Sequence, residues 1–444
     1  MTIDNYAKHI ATLSRTYTEA LQHVANEGTP LTAILVHSGS EQHYYGDDRG
    51  VSFQAYGHLL HWIPVNRPNQ FIYFRPGEKP IYFQIVPNDF WYEQNIDVES
   101  EWEEALSIIK LSNLNELSAE LNKYSLSKLA YIGGHGDIGV SLGIDKPGIN
   151  PKRLLAYLDY ARAIKTDYEL EQLRVANRLA LLGHAAAKTC FLGGGSEYDI
   201  HMAFLQATKN LEDECPYTNI VALNEKAAIL HYQFKRKAAL DQNQVLLIDA
   251  GCRIKGYGSD ITRTSVNDNC HPCFQSLVTA MESLELTLVN EVKPGKTYQS
   301  LHTSTLAGIA QILVDHKICT GDVTDLIELN IPQLFMPHGV GHLLGIQVHD
   351  VGGHQADING TILSPPENSP ALRNTRVMET DMVFTVEPGL YFIPVILEEE
   401  RGSDRGRLIN WNIVDDLYPC GGIRIEDNVR VTSDSAENLT RQFE

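Results

Sequence analysis

Residues 245–266, VLLIDAGCRIKGYGSDITRTSV, carry the clearest structural pattern in the C-terminal part of this chain. Two strand-like apolar runs flank a turn that contains a glycine, which predicts an antiparallel hairpin. Each strand carries one acid, Asp249 or Asp260. Antiparallel partners have a constant index sum, so pairing of these two acids centres the turn between Ile254 and Lys255 and places both carboxylates on one face.

Two neighbouring carboxylates repel each other, and a bound metal ion is a common way to relieve that repulsion. The hairpin therefore favours a metal site at Asp249 and Asp260. An alternative stays open from these residues alone: Asp249 caps a turn through Gly251, and Asp260 forms an ion pair with Arg263.

Outside this hairpin the chain divides into two regions. Residues 1–163 alternate helical and strand-like patterns, with apolar runs at 31–39, 58–65, 70–76 and 79–86, which predicts an α/β N-terminal domain. Thr166 as N-cap and Glu169 three residues later predict a capping box that opens a long amphipathic helix. We therefore place a domain boundary just before this helix.

For residues 164–444, the mixture of strand-like and helical patterns predicts an α+β domain. Strands are expected within 245–251, 259–266, 383–392 and 421–432, and helices over 275–291 and 298–315. The charged, glycine-punctuated segment 394–411 predicts a long surface loop inserted between two strands.

Composition excludes several classes of function. The chain has 444 residues, of which 43% are hydrophobic, and a formal net charge of −20, so we expect no nucleic-acid partner. No segment has the length and apolarity of a signal peptide or a membrane span, which predicts a soluble, cytoplasmic protein without a membrane partner. Seven scattered cysteines indicate reduced thiols, and the C-x-x-C at Cys270 and Cys273 is interpreted as surface-loop thiols rather than a zinc site.

A histidine cluster follows in the sequence PHGVGH (337–342), with His349 close behind. His338 and His342 have the spacing of the zincin motif, but the glutamate between them is missing and two glycines disfavour a helix. Glycines allow a close approach of the backbone, so we expect the three imidazoles to converge from a loop and a strand.

Two further acids stand at the ends of apolar strands. Glu387 ends the strand in TVEPG (385–389), and Glu426 follows Arg424 at the alternate position of GGIRIED (421–427). Each acid alone is typical of a structural salt bridge, and Arg424 with Glu426 is one candidate pair. The combination of acids from separated segments instead favours a metal centre.

If the ligands are Asp249, Asp260, His342, Glu387 and Glu426, four carboxylates balance two divalent ions. Carboxylate-rich ligation with one imidazole favours a hard ion such as Mn²⁺, with Co²⁺, Fe²⁺ or Zn²⁺ as substitutes. Two such ions can activate a water and polarise a carbonyl.

The ordered motifs resemble those of the pita-bread metallopeptidases, and most of all the bacterial Xaa-Pro dipeptidases (prolidases) and the related organophosphorus acid anhydrolases. The resemblance covers nearly the whole chain and rests on these stretches: HSG (37–39), PYTNIVALNE (216–225), ILHY (229–232), IDAG (248–251), GSDITRT (258–264), HGVGH (338–342), VHD (348–350), LRNTR (372–376), TVEPG (385–389) and GGIRIEDN (421–428).

This resemblance implies a creatinase-like N-terminal domain, a pita-bread catalytic domain and a homodimer. It implies that Asp249 and Glu426 bind both metals, that Asp260 completes one site, and that His342 and Glu387 complete the other. Glu387 would also shuttle a proton.

The resemblance also implies roles around the metals. His231 and His349 would hold the substrate carbonyl, His338 would line the pocket, and Arg424 would orient Glu426. Substrate would be bound by three further residues, which are Arg373 at its carboxylate, Tyr217, and Asp48 of the partner subunit at its ammonium group.

The expected activity is hydrolysis of Xaa-Pro dipeptides, with promiscuous hydrolysis of organophosphorus triesters at the same centre. Two alternatives are an aminopeptidase P, which acts on longer Xaa-Pro peptides, and a pita-bread binding module without catalysis. Arg373 and the insert at 394–411 favour the dipeptidase, because binding a carboxylate and closing the pocket both exclude long substrates. The presence of all five ligands disfavours the binding module.

Overall fold

A computed structural model of the chain describes residues 3–26, Gly28 and 30–444. These residues form two compact units. The first unit comprises the described residues up to Arg162 together with Thr166–Leu170 and Asp357–Thr361, and the second comprises Ala163–Lys165, Glu171–Ala356 and Ile362–Glu444.

The first unit is an α/β structure built on one mixed sheet. Its helices are α1 (Ile3–Asn26), α2 (Gly57–Trp62), α3 (Ser100–Ala105), α4 (Leu114–Leu121), α5 (Gly136–Ser141) and α6 (Lys152–Ala161). Its strands are β1 (Ala33–His37), β2 (Phe71–Phe74), β3 (Ile81–Ile85), β4 (Ser107–Leu111) and β5 (Leu129–Ile132). The strand order is β4-β3-β2-β1-β5, with β1–β5 and β3–β4 parallel and the other pairs antiparallel.

The four apolar runs of the first unit do not all form the same kind of secondary structure. Those at 31–39, 70–76 and 79–86 contain β1, β2 and β3, whereas the run at 58–65 lies largely in helix α2. All six residues of α2 are buried. A short, continuously apolar run has no periodicity that separates a buried strand from a buried helix, so the sequence does not settle this element.

The predicted capping box is present at the start of α7 (Asp167–Leu192). The backbone N–H of Thr166 donates to Glu169 Oε2 over 2.8 Å, and the N–H of Glu169 lies 3.5 Å from Thr166 Oγ1. These bonds satisfy donors that the first turn of a helix otherwise leaves open.

The second unit combines helices with several small antiparallel sheets. Besides most of α7, its helices are α8 (Glu197–Thr208), α9 (Pro272–Glu291), α10 (Tyr298–Asp315), α11 (Val323–Glu328), α12 (Pro332–Phe335), α13 (Pro394–Leu397) and α14 (Trp411–Leu417). Its strands are β6 (Ile220–Leu223), β7 (Val245–Asp249), β8 (Arg253–Ile254), β9 (Tyr257–Gly258), β10 (Thr262–Val266), β11 (Val383–Val386), β12 (Gly389–Tyr391), β13 (Gly422–Arg424), β14 (Asp427–Val431) and β15 (Ala436–Asn438). The sheets have the orders β10-β7-β6, β11-β14-β15, β12-β13 and β8-β9.

The hairpin of residues 245–266 forms, but its predicted register was wrong. Asp249 pairs with Thr262 rather than with Asp260. The turn is centred between Lys255 and Gly256, which both have positive φ (48° and 92°), as a two-residue hairpin turn requires. Because Asp260 precedes Thr262 by two residues, it still lies on the same face as Asp249.

The segment 394–411 is not the irregular surface loop that its composition suggested. It contains α13 and the 3₁₀ turns Glu398–Glu400 and Arg405–Leu408, and it leads into α14. Leu397 and Ile409 are buried in the core of the second unit. Apolar residues spaced among the charges anchor the segment, and the charge pattern alone conceals this.

Two expectations from composition can be compared with the structure. Across the described ranges, no helix combines the length and the apolarity needed to cross a bilayer. All seven cysteines are free thiols, but Cys270 is buried and Cys273 lies in the first turn of α9, so the interpretation as surface-loop thiols was wrong.

Candidate metal centre

One cavity of the second unit, about 250 Å³ in volume, contains all five proposed metal ligands. This volume is below the roughly 300–1,000 Å³ of pockets for drug-sized ligands, so the cavity suits a small substrate. The lining consists of Leu230, His231, Asp249, Asp260, Pro337, His338, Gly339, Gly341, His342, His349, Ala371, Arg373, Glu387, Arg424 and Glu426.

The ligand atoms lie at distances that suit metal binding. His342 Nε2 is 3.3 Å from Asp260 Oδ2 and 3.7 Å from Glu387 Oε1. One ligand atom from each of Asp260, His342 and Glu426 lies within 4.8 Å of the other two. Asp249, Asp260, His342 and Glu426 are all at most 9% exposed.

Thr262 joins the hairpin to the strand that carries Glu426. It pairs with Asp249 across the hairpin and forms an isolated bridge with Glu426, whose N–H donates to the Thr262 carbonyl over 3.0 Å. Glu387 follows β11 directly, where Pro388 interrupts the strand. The three acids thus come from the ends of different strands, as the sequence predicts.

His342 lies on a loop that a glycine brings close to its neighbours. Gly341 has φ of 145°, and a Cβ atom there would collide with the Tyr298 hydroxyl and with Thr385. The N–H of His342 donates to Thr385 Oγ1 over 3.1 Å. The expected close approach of the backbone is therefore present, although His342 and its neighbours lie on a loop rather than partly on a strand.

Arg424 is buried and donates three hydrogen bonds. Its Nη2 bonds Asp249 Oδ2 over 2.7 Å, its Nη1 bonds the Tyr391 hydroxyl over 2.9 Å, and its Nε bonds Thr262 Oγ1 over 3.1 Å. The Thr262 hydroxyl in turn donates to Glu426 Oε2 over 2.6 Å. Arg424 therefore contacts Glu426 through Thr262, and the simple Arg424–Glu426 pair considered from the sequence was wrong.

The alternative pairing of Asp260 with Arg263 is also wrong. Arg263 instead donates to Asp427 and to Glu444, each over 2.8 Å. This leaves the side chain of Asp260 directed toward His342.

Burial destabilises the ionised form of most of these carboxylates. It raises the pKa of Asp249 to about 6, an effect that the Arg424 charge opposes, and it raises the pKa of Glu387 to about 7. Burial and the neighbouring carboxylates raise the pKa of Glu426 well above its ordinary value. The protein alone thus stabilises the ionised carboxylates poorly, and a bound cation would favour the ionised form.

Asp260 and His342 stabilise each other's charged forms. Burial is the largest single effect and opposes ionisation of Asp260, but the hydrogen bond and charge of His342, together with Tyr217 and His349, outweigh it and lower the pKa of Asp260. Burial likewise opposes protonation of His342, but the hydrogen bond and charge of Asp260 raise the pKa of His342.

The donor set fits two divalent ions. Asp249, Asp260, His342, Glu387 and Glu426 offer carboxylate oxygens and one imidazole nitrogen to a common space. Oxygen-rich donors of this kind suit Mn²⁺ and related first-row ions.

The residues expected to bind substrate are distributed unevenly. His231, His338, His349 and Arg373 line the cavity. Burial lowers the pKa of His338 to about 3 and that of His349 to about 4, so both imidazoles are neutral near pH 7. Neutral imidazoles can donate a hydrogen bond to a carbonyl without adding charge.

Two expected substrate residues lie elsewhere. Tyr217 is absent from the lining of this cavity, and its hydroxyl donates to Asp249 Oδ1 over 2.7 Å. Asp48 is an exposed residue of the first unit. A contact of either residue with substrate stays a prediction.

Three residues of the centre were missed from the sequence. Thr262 and Thr385 supply the hydroxyl groups that contact Glu426 and His342, and Tyr391 bonds both Arg424 and His338 Nε2, the latter over 3.0 Å. Each lies in a strand, two to four residues along the chain from the proposed ligand Asp260 or Glu387. Alternation along those strands is the only local signal that indicates them.

Comparisons with known proteins agree with this geometry. The family described as "Metallopeptidase family M24" matches residues 171–433, and the one described as "Xaa-Pro dipeptidase, N-terminal domain" matches residues 4–160. An Xaa-Pro dipeptidase of Shewanella baltica (strain OS195) is 42% identical over 440 residues, which are 99% of this chain and 98% of that protein. One of Pseudoalteromonas atlantica (strain T6c) is 40% identical over 443 residues, with the same coverage.

Similar solved structures establish the fold. Proline aminopeptidase P II from Yersinia pestis has a TM-score of 0.73 at 22% identity and covers 100% of this chain and 97% of that one. Zinc-substituted Escherichia coli aminopeptidase P in complex with product has a TM-score of 0.74 at 23% identity, covering 97% and 96%. At this level of identity the likeness shows the architecture, an N-terminal α/β domain and a pita-bread domain, and nothing about substrate.

Proposed function

The chain belongs to metallopeptidase family M24, and we propose that it is a metal-dependent Xaa-Pro dipeptidase, a prolidase that releases proline from dipeptides. One observation carries this proposal: five metal-ligating side chains meet in a small cavity of a chain that matches proteins of that name over nearly its full length. The presence of all five ligands argues against a binding module.

We assign Asp249, Asp260, His342, Glu387 and Glu426 as the ligands of two divalent ions, with Mn²⁺ as the native metal. Four carboxylates against one imidazole support a hard ion, whereas Co²⁺, Fe²⁺ and Zn²⁺ are substitutes. When bound, such ions supply Lewis acidity that acidifies a water and polarises a carbonyl.

Glu387 is the proposed proton carrier. Glu387 lines the cavity, and its carboxylate lies 3.7 Å from His342 Nε2, so it is within reach of a water bound at the centre. It would accept the proton of the attacking water and deliver it to the proline nitrogen as the C–N bond breaks. That nitrogen belongs to a tertiary amide without N–H, so it leaves as an amine only if it gains a proton.

The histidines would position the substrate. His231 and His349 would hold the scissile carbonyl oxygen, and the neutral imidazole of His349 supports this role. His338 would line the proline side, held in place by Tyr391. Arg424 would fix Asp249 directly and Glu426 through Thr262.

Arg373 would select dipeptides by binding the substrate carboxylate. It lines the cavity, whereas no residue of the segment 394–411 does, so the structure does not show this segment closing the pocket. A charge-assisted hydrogen bond to the carboxylate is worth roughly 1.5–3 kcal/mol. The aminopeptidase P alternative lacks this contact, because its longer substrates carry a peptide bond at that position.

The decisive experiment compares substrates on protein stripped of metal and reloaded with Mn²⁺, Co²⁺ or Zn²⁺. We expect an Xaa-Pro dipeptide to be cleaved well, and its amide and an Xaa-Pro-Yaa tripeptide poorly. Arg373→Ala should reduce the difference in kcat/KM between the dipeptide and its amide, because only the dipeptide loses a contact. Equal cleavage of tripeptide and dipeptide by the wild type would favour an aminopeptidase P.

Three further properties belong to this proposal. We propose a cytoplasmic homodimer in which Asp48 of each subunit binds the substrate ammonium group in its partner's site. We place the boundary of the domains between residues 163 and 164, and the family matches at 4–160 and 171–433 support it. Hydrolysis of organophosphorus triesters at the same centre is expected as a side activity, and adding a triester to the substrate panel tests it.

A further inference from the structure

A second group of metal-ligating side chains lies in the first unit, far in sequence from the M24 ligands. It consists of His9 on α1, His61 on α2 and Glu169 in the first turn of α7. One ligand atom from each residue lies within 4.8 Å of the other two, and the residues are 1%, 7% and 2% exposed. Three separate elements thus bring two imidazoles and a carboxylate together in the interior.

His61 directs its ring into this cluster without a hydrogen bond. Neither of its buried ring nitrogens has a hydrogen-bond partner, although Nε2 lies 3.3 Å from Glu169 Oε1. A buried polar atom without a partner costs free energy, typically about 1–3 kcal/mol. A metal ion bound by the lone pair of Nε2 would remove that cost for this nitrogen.

His9 is oriented as a metal-binding histidine usually is. Its Nε2 lies 2.7 Å from the carbonyl oxygen of His61, which can only accept, so Nε2 carries the proton. Nδ1 then carries the lone pair, which accepts a hydrogen bond from the Thr166 hydroxyl over 2.8 Å and lies 4.0 Å from Glu169 Oε2. A backbone carbonyl that fixes the other ring nitrogen is the common outer contact of ligating histidines.

We propose that His9, His61 and Glu169 form a structural site for one Zn²⁺-like ion, distinct from the M24 centre. Two ligands about 2.0–2.1 Å from a tetrahedral ion stand roughly 3.3–3.4 Å apart, the separation of His61 Nε2 and Glu169 Oε1. His9 Nδ1 and Glu169 Oε2 are 4.0 Å apart, so this distance would have to shorten by well under 1 Å to reach that separation. A water or the Thr166 hydroxyl completes the coordination.

The chemistry of the cluster selects Zn²⁺ or Co²⁺ over Mn²⁺. Two imidazoles and one carboxylate form a softer donor set than the M24 centre, and imidazole suits zinc. Burial lowers the pKa of His9 and lowers that of His61 to about 4, so both rings are in the neutral form that binds metal. Tyr6 and Tyr168 stack near His9, with ring centroids 6.3 and 5.0 Å away, and shield the site from water.

The test uses the full chain in an Asp260→Ala/His342→Ala background, which disables the M24 centre. After chelation and dialysis against Zn²⁺ or Co²⁺, elemental analysis should find about one ion per chain, and Co²⁺ should give the visible absorption of four-coordinate cobalt. The background separates this site from the proposed peptidase activity, so failure of either proposal is visible on its own.

Two variants and one matched control locate the ion. His61→Gln removes a ligand, and Glu169→Gln keeps the shape and the capping box but weakens the ligand, so it protects the test against misfolding. His58→Gln is the control, because His58 is equally buried on α2 but pairs with Asp159 over 2.9 Å.

We expect zinc affinity to fall more than about 100-fold in both ligand variants and to be unchanged in His58→Gln, since even outer contacts of metal sites are worth 10–100-fold. Zinc should also raise the unfolding temperature of the background and of His58→Gln, but not of the ligand variants. A background chain that binds no zinc, or equal loss in His58→Gln, would overturn the proposal.

Discussion

Replacing Thr262 by valine tests how the metal centre is held. The side chain is fully buried, and its hydroxyl donates to Glu426 Oε2 over 2.6 Å while it accepts from Arg424 Nε over 3.1 Å. Valine has nearly the same shape, so Thr262→Val deletes two hydrogen bonds to charged groups and little else. Glu426 would keep its charge but lose the contact that fixes one oxygen.

The size of the effect follows from those two bonds. A hydrogen bond to a charged group contributes about 1.5–3 kcal/mol, which corresponds to roughly 10–150-fold in an equilibrium constant. The ligand oxygen itself remains, and loss of an outer contact at a metal site typically lowers affinity 10–100-fold. We therefore expect Mn²⁺ to bind about 10–100-fold more weakly to Thr262→Val.

The assay is titration of metal-free protein with Mn²⁺, followed by binding and by dipeptide hydrolysis. Thr305→Val is the matched control, because Thr305 is equally buried and its hydroxyl donates to Leu301 of its own helix over 2.9 Å. Hydrolysis by Thr262→Val should recover at high Mn²⁺. If Thr262→Val binds Mn²⁺ as tightly as Thr305→Val does, the idea that this hydroxyl organises the centre is refuted.

Glu387→Gln should lower kcat by about 10²–10⁴-fold with little change in KM, because an amide cannot accept the water's proton; a change in KM alone would contradict the assigned role. Asp48→Asn should raise KM for dipeptides with a free amine and leave metal content unchanged, and its mixture with Glu387→Gln should regain activity through heterodimers, unless the chain is an active monomer. Burial lowers the pKa of His184 from about 6.5 to about 4, so the folded chain favours the neutral imidazole. The free energy of unfolding therefore has its full value above about pH 6.5 and decreases as the pH falls toward 4, because the unfolded chain binds a proton first. Urea unfolding at pH 7 and pH 5 should therefore show a smaller acid-induced loss for His184→Gln than for wild type, and equal losses would count against this assignment.

Local patterns were sufficient wherever one segment encodes its own structure. The capping box at Thr166 and Glu169 needs only four residues, and the long helix that follows was predicted from its start. The strand that ends at Glu387 was likewise visible, because an apolar run meets Pro388 directly. In each case the backbone donors and the apolar side chains of one segment determine the result.

The hairpin shows why register is harder to predict than the existence of a hairpin. The observed turn is centred one residue later than the predicted turn, and this shift places Thr262 instead of Asp260 opposite Asp249. The positive φ of Lys255 distinguishes the observed register from the predicted one. Lysine is not a typical residue for that conformation, so the sequence carries no clear signal. The prediction of a shared face survived because the true and predicted partners differ by two residues, an even number.

The partners of Arg424 show a second limit. Its three hydrogen bonds reach Asp249, Thr262 and Tyr391, which lie 175, 162 and 33 residues away along the chain. The sequence offered only its close neighbour Glu426, and that pairing was wrong. Contacts of this kind depend on how separate strands meet, which no local periodicity records.

These contacts of Arg424 also bear on why the centre is built for cations. Four carboxylates meet in the cavity, where the Arg424 guanidinium donates to Asp249 and the His342 imidazole lies 3.3 Å from Asp260. With all four carboxylates ionised and His342 neutral as a ligand, the carboxylates and Arg424 would together carry three formal negative charges, and burial disfavours this state, as the raised pKa of Glu426 indicates. Two divalent ions would reverse this balance to a single positive charge. A site with that charge stabilises the oxyanion that develops when water attacks a carbonyl, so the same carboxylates that destabilise the metal-free fold prepare the metal-bound one for hydrolysis.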